Sequence, residues 1–211
     1  MENQKSVISA ANNSRIKFEV INGHFATNHS HVSSYIDMSG IKNSLNGAKE
    51  TAKELAGAFN YTPVQAIICV EGTRMVGAFL ADELSSGMHG INAGIDISVI
   101  TPEFGMNNEI ILRDNIQQMI RGKAVLLLAS SVSSGKSVAQ TMDCLNYYGG
   151  TLTGVGAIFS AVEEVHGMKI SSVFTPKDIP AYQSHKPADC PMCQAGQKLD
   201  AIVNSFGYSK L

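Results

Sequence analysis

The period of the apolar positions changes along this chain, and each change marks an element. Residues 15–21, Arg-Ile-Lys-Phe-Glu-Val-Ile, alternate charged and apolar side chains, the period-two signature of a strand with one wet face. Residues 1 to about 14 show no such period and read as a loose leader. From Ser39 the spacing becomes helical: Ile41, Leu45, Ala48, Ala52, Leu55, Ala56 and Phe59 fall on one stripe, with Ser39 placed to cap it. Gly47 within that stripe costs about 1 kcal/mol against alanine, which a stripe this long absorbs. Pro63 ends the pattern. Residues 66–70 form a short apolar run, a second strand, and a helix follows from Met75 to about Leu84. Residues 95–100 and 110–112 read as strands, and 115–121 as a short connecting segment with helical character.

The pattern is sharpest at Val125-Leu126-Leu127-Leu128, four apolar residues in a row, which predicts a strand buried on both faces. A polar run from Ser130 to Ser137 follows at once. Val138, Met142, Leu145 and Tyr148 then recur at spacings of four and three, and Gly149-Gly150 closes that helix. Residues 152–161 and 170–174 are the last strands. Strands alternating with helices predict an α/β fold, a parallel sheet covered on both faces that takes ligands at the carboxyl ends of its strands.

Two strand–helix junctions carry anion chemistry. A loop of small residues entering a helix leaves backbone N–H groups unpaired at the positive end of the helix dipole. In the second junction Ser133, Ser134 and Ser137 add hydroxyl donors, Gly135 allows close backbone approach, and Lys136 adds a point charge. These five residues are the candidate phosphate binders; the alternative is a plain serine-capped turn. A nucleotide P-loop fits poorly. Gly135-Lys136-Ser137 matches its end, but Ser130 stands at its first glycine, and the next strand ends in Ser160-Ala161 with no aspartate for magnesium. The first junction, Glu71-Gly72-Thr73-Arg74, suits an anion equally well as it suits an ordinary turn with a surface arginine.

Composition narrows the field. At 211 residues, one domain with one substantial core is the expectation for 1–211. A formal charge of −2 offers no basic field for nucleic acid. No apolar run approaches the ~20 residues of a membrane span, and the polar N-terminus lacks the apolar core of a signal peptide. Four cysteines in a chain this long make no disulfide framework, which points to the reducing cytoplasm. His29 and His31 stand one apart with no carboxylate or cysteine beside them, and read as surface histidines. In the tail, Cys190-Pro191-Met192-Cys193 is half of a zinc site. His185 is the nearest third ligand, the fourth is unassigned, and reduced thiols in a tight turn are the equal alternative.

These motifs together resemble one family. Residues 125–137 resemble the phosphoribosyl-diphosphate (PRPP) motif of the type I phosphoribosyltransferases: four apolar residues, an acidic pair, two further residues, then a Ser/Thr-rich loop with glycine. Gly23-x-Phe25 followed by Ser33-x-Tyr35-Ile36-Asp37 resembles the N-terminal signature of orotate phosphoribosyltransferases. Asp189-Cys190-Pro191-x-Cys193-x-x-Gly196 resembles the closing motif of some bacterial members. The resemblance implies a parallel core sheet flanked by helices and a small hood from about residues 1–40. It also implies a tail over 180–211, a homodimer, and a reaction in which PRPP with magnesium gives nucleotide and pyrophosphate. Glu71, Gly72, Thr73 and Arg74 would form its pyrophosphate loop.

Two departures limit what the resemblance implies for catalysis. The acidic pair, which holds the ribose hydroxyls and helps place the metal, is replaced by Ala129 and Ser130. The mobile basic loop that clamps pyrophosphate has no counterpart: residues 75–112 contain no lysine or arginine. The leading expectation is a protein that binds a 5′-phosphorylated ribose, nucleotide or PRPP with catalysis lost or weak. The alternatives are a working transferase that draws its contacts from elsewhere, such as Glu71 or Arg74, and a regulatory or scaffold protein.

Overall fold

The computed structural model describes residues 5–87, 90–105, 109–179 and 182–211. The chain opens with three antiparallel strands, β1 (Lys5–Ser9), β2 (Lys17–Ala26) and β3 (His31–Asp37). The leader is therefore ordered structure from Lys5, contrary to expectation. Ile8 lies opposite Phe18 and packs on the core, while Val7 faces out. One inward apolar residue in a five-residue strand gives no readable period; the ladder to β2 holds it in place.

The helical stripe that begins at Ser39 breaks in two. Helix α1 (Ser39–Lys42) ends at Asn43, and α2 (Leu45–Phe59) begins anew. Ser44, not Ser39, is the capping side chain: its hydroxyl accepts from the Gly47 N–H at 3.1 Å and donates to the Gly40 carbonyl at 2.6 Å. A serine that bonds backbone on both sides favours a break over continued helix. Leu45 is accordingly turned out, 64 % exposed. Gly47 is glycine because a Cβ there would run into the Gly40 carbonyl.

Strand β4 (Ala66–Cys69) leads to α3 (Arg74–Ser86), then β5 (Ser98–Ile100), shorter than the 95–100 run because Ile95 faces solvent. A small hairpin, β6 (Glu103–Phe104) with β7 (Ile110–Ile111), and α4 (Asp114–Gln117) bring the chain to the central strand. That strand is β8 (Ala124–Val132), followed by α5 (Lys136–Tyr147), β9 (Thr151–Ser160), β10 (Glu164–Val165) and β11 (Met168–Phe174). Residues 106–108, in the stretch where the basic clamp would lie, are outside the described residues.

The core sheet runs β10-β11-β9-β8-β4-β5, all parallel except the β10 edge. Its two faces are legible in β8 alone. Leu126 and Leu128 point to a cluster with Leu55, Phe59 and Leu80 of α2 and α3. Val125, Leu127 and Ala129 point to the opposite cluster with Val138 and Leu145 of α5. Alternation within an all-apolar run is what burial on both faces requires.

The tail does not stand apart. Strands β12 (Ser184–His185), β13 (Ala201–Asn204) and β14 (Gly207–Lys210) join the N-terminal strands in a second sheet, β12-β3-β2-β13-β14, with β1 on β2. Between β12 and β13 lies one turn of helix, α6 (Pro191–Gln194). The hood is thus built from both ends of the sequence. No helix among the described residues is long and apolar enough to cross a membrane.

Candidate functional site

The carboxyl ends of β4 and β8 open into a cavity of about 470 Å³ roofed by the second sheet. At the end of β8, the Val132 carbonyl accepts from the Ala161 N–H at 2.8 Å, the last ladder bond before the chain bends through Ser133, Ser134 and Gly135. Gly135 is the N-cap of α5, with φ of +76° and no side-chain cap. Glycine is required there twice over: the backbone is left-handed, and a Cβ would run into Val165. Among the described residues, the amides from Ser133 to Ser137 have no hydrogen-bond acceptor, and all five residues line the cavity. A row of open N–H groups at a helix N-terminus, facing a cavity, is chemically suited to an anion.

The β4 junction is built differently. Glu71 and Gly72 are both left-handed, at φ of +58° and +80°. For glutamate that backbone is uncommon, and it is held by the side chain. The Glu71 carboxylate accepts from the Ser130 hydroxyl at 2.7 Å and from the Ser131 N–H at 3.1 Å. Thr73 is fully buried, and its hydroxyl is shared between the carbonyls of Val70 at 2.8 Å and Leu128 at 3.0 Å. Arg74 is exposed and opens α3. Of these four residues only Glu71 lines the cavity, where it is the one acidic group among the described residues. Ala129 and Ser130 are both buried, and β8 continues past them to Val132, so the strand runs further than the apolar run 125–128 implies.

Sequence reading missed Lys42, the last residue of α1. Its ammonium donates to the Glu71 carbonyl at 3.2 Å and to the Ser205 carbonyl at 2.5 Å, so it joins the β4 junction to the β13–β14 turn. Burial lowers its pKa, and the charges of Glu71 and Asp37 oppose that shift. The helix break at Asn43 aims this side chain inward, and a continuous stripe gave no sign of it. At the turn beside Ser205, Phe206 stands 88 % exposed on the cavity rim, the turn being set by Asn204 Oδ1 accepting from the Phe206 and Gly207 N–H groups.

The histidine and cysteine assignments need correction. His29 is exposed, as expected, but His31 is not a plain surface histidine. Its Nδ1 lies 3.3 Å from Nε2 of the fully buried His24 and 3.2 Å from Sγ of Cys193. Cys190 Sγ lies 3.5 Å from the same His24 nitrogen. His185 is not with them: its ring turns to the Gln183 side chain at 3.3 Å. It sits on β12 opposite His31, but neighbouring backbone positions do not bring the rings together. His24 follows a stretch of alternating charged and apolar residues that gave no sign of a ligand; a register shift between Asn22 and Phe25 accompanies its inward turn.

A parallel sheet with an open helix N-terminus at the end of its central strand and a second sheet over it is the architecture of the type I phosphoribosyltransferases. A phosphoribosyltransferase from Corynebacterium diphtheriae superimposes with a TM-score of 0.53 at 17 % identity, over 76 % of this chain and 90 % of that one. The orotate phosphoribosyltransferase of Aeropyrum pernix gives 0.52 at 19 % identity, over 85 % and 93 %. In sequence, the chain is similar to the orotate phosphoribosyltransferase of Pelotomaculum thermopropionicum, 25 % identical over 184 residues, 84 % of this chain and 86 % of the relative. No protein-family model matches the chain. The protein has a type I phosphoribosyltransferase fold and is orotate phosphoribosyltransferase-like.

Proposed function

We propose that the cavity binds PRPP or a nucleotide of the orotate series, its 5′-phosphate on the amides of Ser133 to Ser137, and that phosphoribosyl transfer is weak. The observation that carries this reading is the asymmetry of the site. The amides that enter α5 are open to the cavity, whereas β8 carries Ala129 and Ser130 near its end and contributes no carboxylate. Phosphate binding needs only those amides. Acceleration needs groups that stabilise the transition state more than the bound substrate. Losing one charged partner typically costs about 2–4 kcal/mol, roughly two to three decades in rate.

Magnesium, which accompanies PRPP in the family, suits a site with few ligands, because it keeps its waters and binds largely through substrate phosphates. Glu71 is the carboxylate at hand to hold it. The metal would neutralise charge on the diphosphate leaving group. Zinc in the tail would take no part in the transfer. A homodimer in the cytoplasm, serving pyrimidine nucleotide metabolism, accords with this reading.

One observation favours full activity instead: Glu71 reaches across from β4 to the end of β8, where the family's acidic pair belongs. A steady-state assay of orotate and PRPP with magnesium, beside calorimetric titration of PRPP and orotidine monophosphate, separates the two. Binding with turnover at least a thousandfold below an active orotate phosphoribosyltransferase is expected. Comparable turnover would assign the carboxylate role to Glu71. If no phosphorylated ribose binds, both readings fail.

A further inference from the structure

We infer that His24, His31, Cys190 and Cys193 form a structural zinc site that staples the tail to the hood hairpin. Their ligand atoms all lie within 4.8 Å of one another. Zn–S bonds of about 2.3 Å and Zn–N bonds of about 2.05 Å at tetrahedral angles put two nitrogens about 3.3 Å apart, and each sulfur about 3.6 Å from each nitrogen. Here the two nitrogens are 3.3 Å apart, and three sulfur–nitrogen pairs stand at 3.2, 3.5 and 3.6 Å.

Hydrogen bonding does not account for these contacts. His24 Nε2 faces His31 Nδ1 and both thiols at once. A neutral ring nitrogen has one proton or one lone pair, so it can satisfy one such partner. The other ring nitrogen fixes which it has. His24 Nδ1 lies 3.0 Å from the Gln197 carbonyl, which can only accept, so the proton is on Nδ1 and the Nε2 lone pair points into the cluster. A backbone carbonyl that orients a ligating imidazole in this way is the usual outer support of a zinc histidine. A dication at the centre pairs with all four groups together.

Local sequence builds the site from two sides. Cys190 is the N-cap of α6 and Cys193 lies in its only turn, so both sulfurs project from one knuckle that Gly196 closes at φ of +73°. On the hairpin, Gly23 precedes His24 because Asp200 approaches too closely for a side chain: a Cβ would stand 2.7 Å from its carboxylate. That carboxylate accepts the His24 N–H at 2.7 Å, and the Asp200 N–H donates to the His24 carbonyl at 2.8 Å. Directly after Asp200 comes β13, and then the turn whose Phe206 rims the cavity. The metal therefore anchors the segment that completes the roof of the site, without being part of it.

Protein purified with reductant and without chelator should hold one zinc per chain by elemental analysis. Replacing that zinc with cobalt should give the intense visible absorption of a tetrahedral site with thiolate ligands. Cys190→Ser with Cys193→Ser should abolish the metal and lower the melting temperature by about 10 °C, while His185→Ala retains full zinc. If the double variant does not fold, His31→Ala and the cobalt spectrum of the unmodified protein still decide. Zinc below a fifth of an equivalent, with no uptake of added zinc by the reduced protein, overturns the site. So does full retention in the cysteine variant, or loss in His185→Ala.

Discussion

The β4–α3 and β8–α5 junctions share one topology and come out opposite in chemistry. Each leaves a buried strand of the same sheet and enters a helix of twelve or thirteen residues through left-handed backbone. After β8 the polar groups stay open: hydroxyls and amides face the cavity, and one glycine keeps the backbone near it. After β4 they are consumed internally. Thr73 bonds two carbonyls, the Glu71 carboxylate is bound to Ser130 and Ser131, and the Glu71 carbonyl is bound to Lys42. A βα loop is free to take an anion only while its donors lack partners, and the topology alone does not decide that.

The largest expected effect breaks the open junction. Gly135→Val forces a β-branched residue into left-handed backbone and against Val165. PRPP affinity should fall at least a hundredfold by calorimetry, about 2.7 kcal/mol. Some stability should be lost as well, of order 1–3 kcal/mol for the strained backbone alone. Unchanged affinity would place the phosphate elsewhere.

A smaller effect tests the closed junction. Glu71→Gln keeps an oxygen for Ser130 and Ser131 but removes the charge. The increase in PRPP affinity caused by magnesium should drop about tenfold, one charged contact's worth. Affinity measured in chelator should hold or rise. An equal loss with and without magnesium would make Glu71 merely structural.

The smallest effect reads how tightly the closed junction is sealed. Cys69 ends β4, and burial pushes its thiol up to about 12, partly offset by Thr73 and Arg74. Its pKa is raised in the folded state, so its contribution to stability is full below about pH 9, the value for an unfolded thiol. That contribution shrinks as pH rises toward 12, and melting temperature should decline through the same window. Tyr35 and Tyr182, both raised to about 12 by burial, add to the fall above pH 10. Cys69→Ala should flatten the part between pH 9 and 10. A thiol reagent that labels Cys69 at pH 8 as fast in the folded protein as in the unfolded chain would show the junction to be open.

Much of the core was legible because burial on two faces leaves a plain mark. Val125 to Leu128 predicted the central strand, and the change of period at Val138 predicted the helix that follows it. What escaped reading depends on contacts between distant residues. The sequence of β2 contains a lone histidine beyond its alternating stretch, and only the register shift at Asn22 and the tail's return bring it to Cys190. Lys42 looked like one more wet-face residue until Ser44 broke the helix. Glu71 was named for its loop, yet its partners Ser130 and Ser131 lie about sixty residues away.

The hood sheet, closed by strands from both ends of the chain, sets an order of events during synthesis. Strand β13 lies between β2 and β14, pairing Ala201 with Phe25, so one side of the sheet is missing until residues 201–210 leave the ribosome. About 150 residues separate β3 from β12, some 10–30 s of translation at ordinary rates. Throughout that interval the N-terminal hairpin holds Phe25, Val32 and Tyr35 without the tail residues Ala201 and Val203 that complete their cluster. The newborn protein is a finished core carrying an unfinished lid, and a chaperone that shields apolar hairpins would find its target there.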